Sequence, residues 1–104
     1  MSKNVHYLLA KYRRVKIDLG TVHLTPAVAE LIEMENLNPY LWLARLVVGD
    51  WGEVSIDEER ANAEALKAGA AVRAHYRIEG SARTRAVVID VEPGHGTTIR
   101  LLEE

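Results

Sequence analysis

The chain contains no cysteine among its 104 residues. This absence excludes a disulfide framework, a thiol nucleophile and a thiolate metal site. No apolar stretch approaches the length of a membrane span, and the first residues lack the continuous apolar run of a signal peptide. No motif marks a cofactor or metal site, since the four histidines lie far apart without ligand spacing. We therefore expect a cytoplasmic protein that uses no membrane, metal or cofactor.

The composition is that of one soluble domain, with 48% hydrophobic and 27% charged residues. The formal net charge of -2 argues against a protein whose main activity is non-specific nucleic-acid binding. The charge is nevertheless segregated, because residues 1–20 are mainly basic and residues 50–67 are mainly acidic. Such blocks either steer a partner or a second copy of the chain, or simply face solvent.

The N-terminal part predicts an arm and one strand. Residues 1–12 mix charged and apolar side chains without a period, which indicates a weakly structured arm before a single domain over residues 13–104. From Arg13 apolar and charged residues alternate, as in a half-buried strand. The alternation changes parity at Gly20, where we expect a bend, and continues to Leu24.

Three helices are predicted next. Thr25-Pro26 and Asn38-Pro39 each combine a capping residue with a proline at the first helical position. We expect the second helix to cover Tyr40 to Val48. Ser55 and Glu58 form a capping box for the third helix, which we expect to stop at Gly69.

The last third predicts three strands. Apolar residues alternate with charged ones from Val72 to Ile78, and two further β-branched runs follow after turns, from Ala86 to Val91 and from Thr97 to Leu102. The fold class is therefore α+β: one N-terminal strand, three helices, and a three-stranded antiparallel meander with the helices on one face of the sheet.

The segment Gly49–Glu53 joins the second and third helices and contains two glycines around Asp50-Trp51. Gly49 suits the left-handed residue that follows a helix end. Trp51 is a large apolar side chain that can plug the junction, and Arg45 is placed to form an ion pair with Asp50 across it. The segment is interpreted as a structural clasp, with a binding site as the alternative.

In this context the chain resembles a family of small proteins of unknown function, described as plasmid-related and found on mobile genetic elements. The resemblance covers roughly residues 19 to 104. It implies one compact intracellular domain with an accessory role in a mobile element, and it brings no established activity, ligand or catalytic residue. The residues that carry it are Thr25-Pro26, Leu43-Ala44-Arg45, Gly49-Asp50-Trp51-Gly52-Glu53, Asn62, Ala65-Leu66, Gly69, Thr97-Thr98-Ile99 and Leu101-Leu102-Glu103.

The chain departs from that family at two places. Members often carry a histidine directly after the arginine that matches Arg45, and Leu46 stands there in this chain. The turn before the last strand usually holds an acidic residue and an arginine, whereas residues 92–96 here read Glu-Pro-Gly-His-Gly. Any role of that histidine or that arginine is therefore not carried over.

The functional prediction rests on the apolar composition of the second helix. It is apolar almost all round, which indicates either a place in the core or an exposed interface. We expect a non-catalytic protein that acts through protein–protein contacts, either by self-association or with another protein, in a regulatory or anti-defence role. The candidate binding residues are Trp42, Arg45, Val47, Asp50 and Trp51.

Two alternatives remain. A basic sheet face formed by Arg14, Lys16, Arg73, His75 and Arg77 would hold the phosphates of a nucleic acid. A small-ligand or enzymatic site at the Asp50-Trp51 turn is the second alternative, with Glu53 and His95 as further members if the last turn lies near it.

Overall fold

The computed structural model describes residues 17–78 and 85–104, which form an α+β domain with three helices and a four-stranded sheet. The strands lie in the order β1-β4-β3-β2. β2, β3 and β4 form the predicted antiparallel meander, and β1 joins β4 in parallel, so the sheet is mixed. The elements are β1 (Val22–Leu24), α1 (Pro26–Glu35), α2 (Pro39–Leu46), α3 (Ile56–Ala68), β2 (Val72–Ile78), β3 (Arg85–Glu92) and β4 (Gly96–Leu101).

The N-terminal strand is shorter than its sequence pattern predicts. The first part of the predicted strand, like the predicted arm over residues 1–12, lies outside the described residues. Residues 17–20 are described and are not strand. The Thr97 hydroxyl donates to the Leu19 carbonyl (2.7 Å), and the Thr97 N–H donates to the Thr21 carbonyl (2.9 Å). These bonds tie the segment to the start of β4 before the ladder of β1 begins.

The local helix signals are confirmed. Thr25 and Asn38 cap α1 and α2 through their side chains. Ser55 and Glu58 make both hydrogen bonds of the capping box at the start of α3, and Gly69 ends that helix. α2 ends at Leu46, two residues before the predicted end, because the chain enters a turn there in which the N–H groups of residues 49 and 50 bond back to α2 carbonyls.

The hydrophobic core lies between the helices and one face of the sheet. In β2 the alternation is confirmed, since Val72, Ala74, Tyr76 and Ile78 are buried. Their neighbours in β3 and β4 continue the same face of the sheet. From α1, Val28 and Leu31 pack into the core against this face. The other buried apolar residues packed into this core are Trp42, Leu46, Trp51, Val87, Ile89, Val91, Ile99 and Leu101.

Candidate functional site

The Gly49–Glu53 segment forms a closed turn held by Arg45 at the end of α2. The Arg45 Nε donates to Asp50 Oδ2 (2.7 Å), and its Nη2 donates to Oδ1 (3.3 Å). The predicted ion pair is therefore bidentate, and we call this arrangement of Arg45 and Asp50 the fork. Asp50 Oδ1 also accepts the Gly52 N–H (3.0 Å). The Asp50 carboxylate therefore holds the helix end and the turn together.

Tyr76 of β2 lies under this fork and connects it to the core. Its side chain is fully buried, and its hydroxyl donates to the Asp50 carbonyl (2.6 Å). The Arg45 guanidinium stacks over the Tyr76 ring at 4.6 Å from the centroid, in the geometry of a cation–π contact. Burial raises the pKa of the Tyr76 hydroxyl, which therefore stays a hydrogen-bond donor at neutral pH.

The turn also pairs with the outer edge of β2. The His75 N–H donates to the Trp51 carbonyl (2.9 Å), and the Glu53 N–H donates to the His75 carbonyl (2.7 Å). Gly52 lies against this edge with φ +77°, and a Cβ there would stand 2.6 Å from the Tyr76 ring and overlap the His75 carbonyl oxygen. Only glycine fits at a positive φ with so close a backbone approach. Trp51 points into the core at 6% exposure.

Asn62 of α3 also hydrogen-bonds to the β2 edge, next to the bonds made by the turn. We did not predict this role from the sequence. Its Oδ1 accepts the Arg73 N–H (3.1 Å), and its Nδ2 donates to the Arg73 carbonyl (2.8 Å). The amide thus replaces a neighbouring strand at one residue of an exposed sheet edge. The sequence does contain a signal for it. Asn62 is a polar residue with the helical spacing of Ala65, Leu66 and Gly69, which indicates a polar group on the buried side of the helix.

The chemistry of the turn is that of a structural clasp. The Asp50 carboxylate accepts three N–H groups, and the Arg45 hydrogen bond followed by that of Gly52 lowers its pKa. The same pair raises the pKa of Arg45. Trp51 offers its ring to the core instead of to a ligand. The residues predicted here as a binding site are thus brought together, but their polar groups bond to one another.

The two described arginines of the predicted basic sheet face, Arg73 and Arg77, are paired with carboxylates. Arg73 and Arg100 both bond to Asp90 in the middle of the face. Arg77 pairs with Glu53 at 3.3 Å. His75, also on this face, contacts the Glu53 carbonyl oxygen through its Nδ1 (3.0 Å). The other two predicted members, Arg14 and Lys16, lie outside the described residues. The carboxylates offset the positive charge of the face, while Arg73 and Arg77 remain 61% and 54% exposed.

The histidines do not complete an acid–base site with the turn. The His75 Nδ1 lies 3.0 Å from the Glu53 carbonyl oxygen, which can only accept, so this nitrogen carries the proton. Within residues 17–78 and 85–104, the His95 side chain makes no hydrogen bond or ion pair with Asp50 or Glu53. No hydrogen bond or ion pair among the described residues therefore links His95 to the turn in the enzymatic alternative.

A different surface is formed where α1 and α2 meet. Two of the apolar side chains predicted to bind a partner are not fully exposed. Trp42 of α2 is 8% exposed and packs in the core, and Val47, just after α2, is partly buried. Tyr40 and Leu41, by contrast, are 75% and 64% exposed, and Met34 near the end of α1 is 73% exposed. Exposed apolar side chains that cluster mark contact sites, and these three lie within eight residues of sequence.

Three exposed glutamates share α1 with Met34. We call the hairpin surface the set Glu30, Glu33, Met34, Glu35, Tyr40 and Leu41, all of which are exposed. Glu30, Glu33 and Met34 have helical spacing i, i+3, i+4 and share one side of α1.

A groove of about 390 Å³ borders this surface, with Leu41 on one wall and the end of β2 on the other. The connection between the helices, Asn36–Asn38, forms another part of the lining. The two arginines that also line the groove, Arg45 and Arg77, are held in the ion pairs with Asp50 and Glu53 described above. The groove therefore combines an exposed apolar wall with cations that already have partners.

Comparison with family models, with curated proteins and with solved structures finds no match to this chain. Within the described ranges, no group of three acidic or histidine side chains is arranged to hold a metal ion. None of the helices in that part of the chain combines the length and hydrophobicity that crossing a bilayer requires.

Proposed function

We propose that this protein is a small non-catalytic binding module that contacts another protein molecule through the hairpin surface. The observation that carries the proposal is the exposure of Met34, Tyr40 and Leu41, the last of which lines a groove. Burying apolar surface contributes about 25 cal/mol per Å², so three such side chains supply a large part of the free energy of a modest interface.

The Gly49–Glu53 turn supports this module indirectly. It fixes the end of α2 against β2 through Arg45, Asp50 and Tyr76. Because α2 carries Tyr40 and Leu41, the turn orients the two exposed side chains relative to the sheet. A rigid presentation of this kind lowers the entropy lost on binding.

The biological setting is proposed from the family resemblance. An accessory protein of a mobile element, working in the cytoplasm on a host or element protein in a regulatory or anti-defence role, needs a contact surface and no catalytic group. The nucleic-acid alternative has less support, because the arginines of the described sheet face are held in ion pairs.

Sedimentation of a dye-labelled chain tests the proposal. Because the chain has no cysteine, Lys67→Cys creates a unique labelling position on an exposed side chain of α3. The labelled protein is followed by fluorescence, first purified over a range of concentrations and then in an extract of its host cells. We expect a faster species, which Leu41→Ser reduces and the matched change Ile56→Ser, at a 70% exposed position on α3, leaves unchanged.

The two conditions separate the two kinds of partner. A faster species in the purified sample identifies self-association, and one that forms only in extract identifies another protein. Sedimentation as a monomer in both conditions, or a faster species that Leu41→Ser does not reduce, would contradict the proposal.

A further inference from the structure

The charge of the hairpin surface identifies the chemistry of its partner. Between Leu24 and Ala44 the chain contains three glutamates and no lysine, arginine or histidine. All three glutamates are on α1 and exposed. This stretch of sequence therefore carries only negative charge. The two arginines that line the bordering groove, Arg45 and Arg77, are paired with Asp50 and Glu53.

The ion pairs within residues 17–78 and 85–104 do not include the α1 glutamates. Among the residues that the structure describes, the ion pairs involve Asp50, Glu53, Glu64, Asp90 and Glu103 as carboxylates, and none involves Glu30, Glu33 or Glu35. Two of the acidic residues of α3, Glu58 and Glu64, differ in this respect. Glu58 is used in the capping box, and Glu64 pairs with Lys67.

We propose, building on the function proposed above, that the hairpin surface binds a cationic amphipathic protein segment, whose apolar side chains pack against Met34, Tyr40 and Leu41 and whose lysines or arginines face the α1 glutamates. Complementary charge around an apolar centre increases the association rate and discriminates against acidic partners. A helix with apolar side chains at spacings of three and four residues matches a surface formed by two short helices.

A designed peptide tests the charge and the surface separately from the natural partner. The probe is an 18-residue amphipathic peptide of leucine and lysine, dye-labelled at one end, and its control is the same pattern with glutamate in place of lysine. Binding is measured by fluorescence anisotropy at two salt concentrations. We expect the lysine peptide to bind and its affinity to fall as salt rises, and the glutamate peptide to bind at least tenfold more weakly.

Variants with equal change in net charge locate the site. The triple variant Glu30→Gln, Glu33→Gln, Glu35→Gln should weaken binding of the lysine peptide by about tenfold and reduce its salt dependence. Leu41→Ser should weaken it by a similar factor through lost apolar contact. The matched control on α3 is Asp57→Asn, Glu59→Gln, Glu64→Gln, which removes the same charge and should change the affinity less than twofold. Circular dichroism confirms that each variant is folded.

The contrary results are distinct. If both triple variants weaken binding equally, the peptide responds to net charge and the inference is wrong. If the glutamate peptide binds as tightly, or the lysine peptide does not bind, the inference is also wrong. In that case a sedimenting complex that depends on Leu41 would still support the proposed function, with a partner of different charge. If neither the Leu41-dependent complex nor the selective binding of the lysine peptide is observed, both proposals are wrong.

Discussion

The Gly49–Glu53 turn and the hairpin surface lie at opposite ends of the same helix and differ in how their polar groups are used. At the turn, Asp50 accepts three N–H groups and Tyr76 reaches the backbone of the turn. At the hairpin surface, apolar side chains and glutamates are exposed. Side chains whose bonding capacity is used within the fold contribute to stability, and those left facing solvent are available to a partner. The motif that is most prominent in sequence is therefore assigned to structure.

The largest effect is expected for Gly52→Ala in the turn. The new Cβ meets the Tyr76 ring and the His75 carbonyl at a positive φ. Strain together with overpacking should cost about 3–5 kcal/mol of unfolding free energy, measured by urea denaturation. The matched control is Gly94→Ala, which has a similar φ of +82° but no atom within 4 Å of the added Cβ and should cost about 1 kcal/mol. Equal losses for the two variants would show that Gly52 is not in close contact with β2.

The next effect is expected for Asn62→Ala. This substitution leaves the Arg73 N–H and carbonyl at the sheet edge without their partner. The expected loss is about 2 kcal/mol, and hydrogen exchange at the Arg73 amide should become faster. Glu64→Ala, at a 77% exposed position on the same helix, serves as the control and should change stability by about 0.5 kcal/mol or less. Unchanged exchange at Arg73 would contradict the assigned role of Asn62.

A smaller and pH-dependent effect is expected for Asp50→Asn. The fork with Arg45 lowers the pKa of Asp50, so its stabilisation is complete above the unfolded pKa of about 3.9 and is lost as the pH falls through the lower folded value. Both side chains are 47% exposed, so solvent screens the pair and the loss at pH 7 should be about 1 kcal/mol. The stability difference between the wild type and Asp50→Asn should shrink below about pH 4. A difference that does not change with pH would argue against the ion pair.

The smallest effect on stability is expected at the hairpin surface. Leu41→Ser removes an exposed side chain, so unfolding free energy should change by about 0.5 kcal/mol or less. Trp42→Ala, one residue further along the same helix and buried, should cost about 3 kcal/mol or more. Thermal melts of the two variants provide the comparison. A large loss for Leu41→Ser would mean that this side chain belongs to the core and not to a contact surface.

The parts of the fold that were predictable from sequence depend on residues within a few positions of one another. The capping box of Ser55 and Glu58 and the alternation from Val72 to Ile78 are local signals, and the structure confirms both. The ion pair of Arg45 with Asp50 spans five residues and was predicted as well. Such features follow from periodicity and from residue type at a short spacing in sequence.

The parts that were not predictable depend on distant residues. The parallel pairing of β1 with β4 joins positions about 75 residues apart, from Val22 to Thr97. The hydrogen bond from Tyr76 to Asp50 spans 26 residues. For α2, periodicity showed an apolar helix, but only tertiary packing decides that Trp42 is buried while Leu41 is exposed.

The measurement that tests the central assignment most directly is a map of photo-crosslinking in host cells. A photoreactive residue is placed in turn at three exposed positions, Leu41 on α2, Ile56 on α3 and Leu102 after β4, and the protein adducts are identified by mass spectrometry. The account predicts one dominant adduct at position 41, from another protein or a second copy of the chain, and little at positions 56 and 102. Equal adducts at all three positions, or none at position 41, would contradict the assignment of the hairpin surface as the contact site.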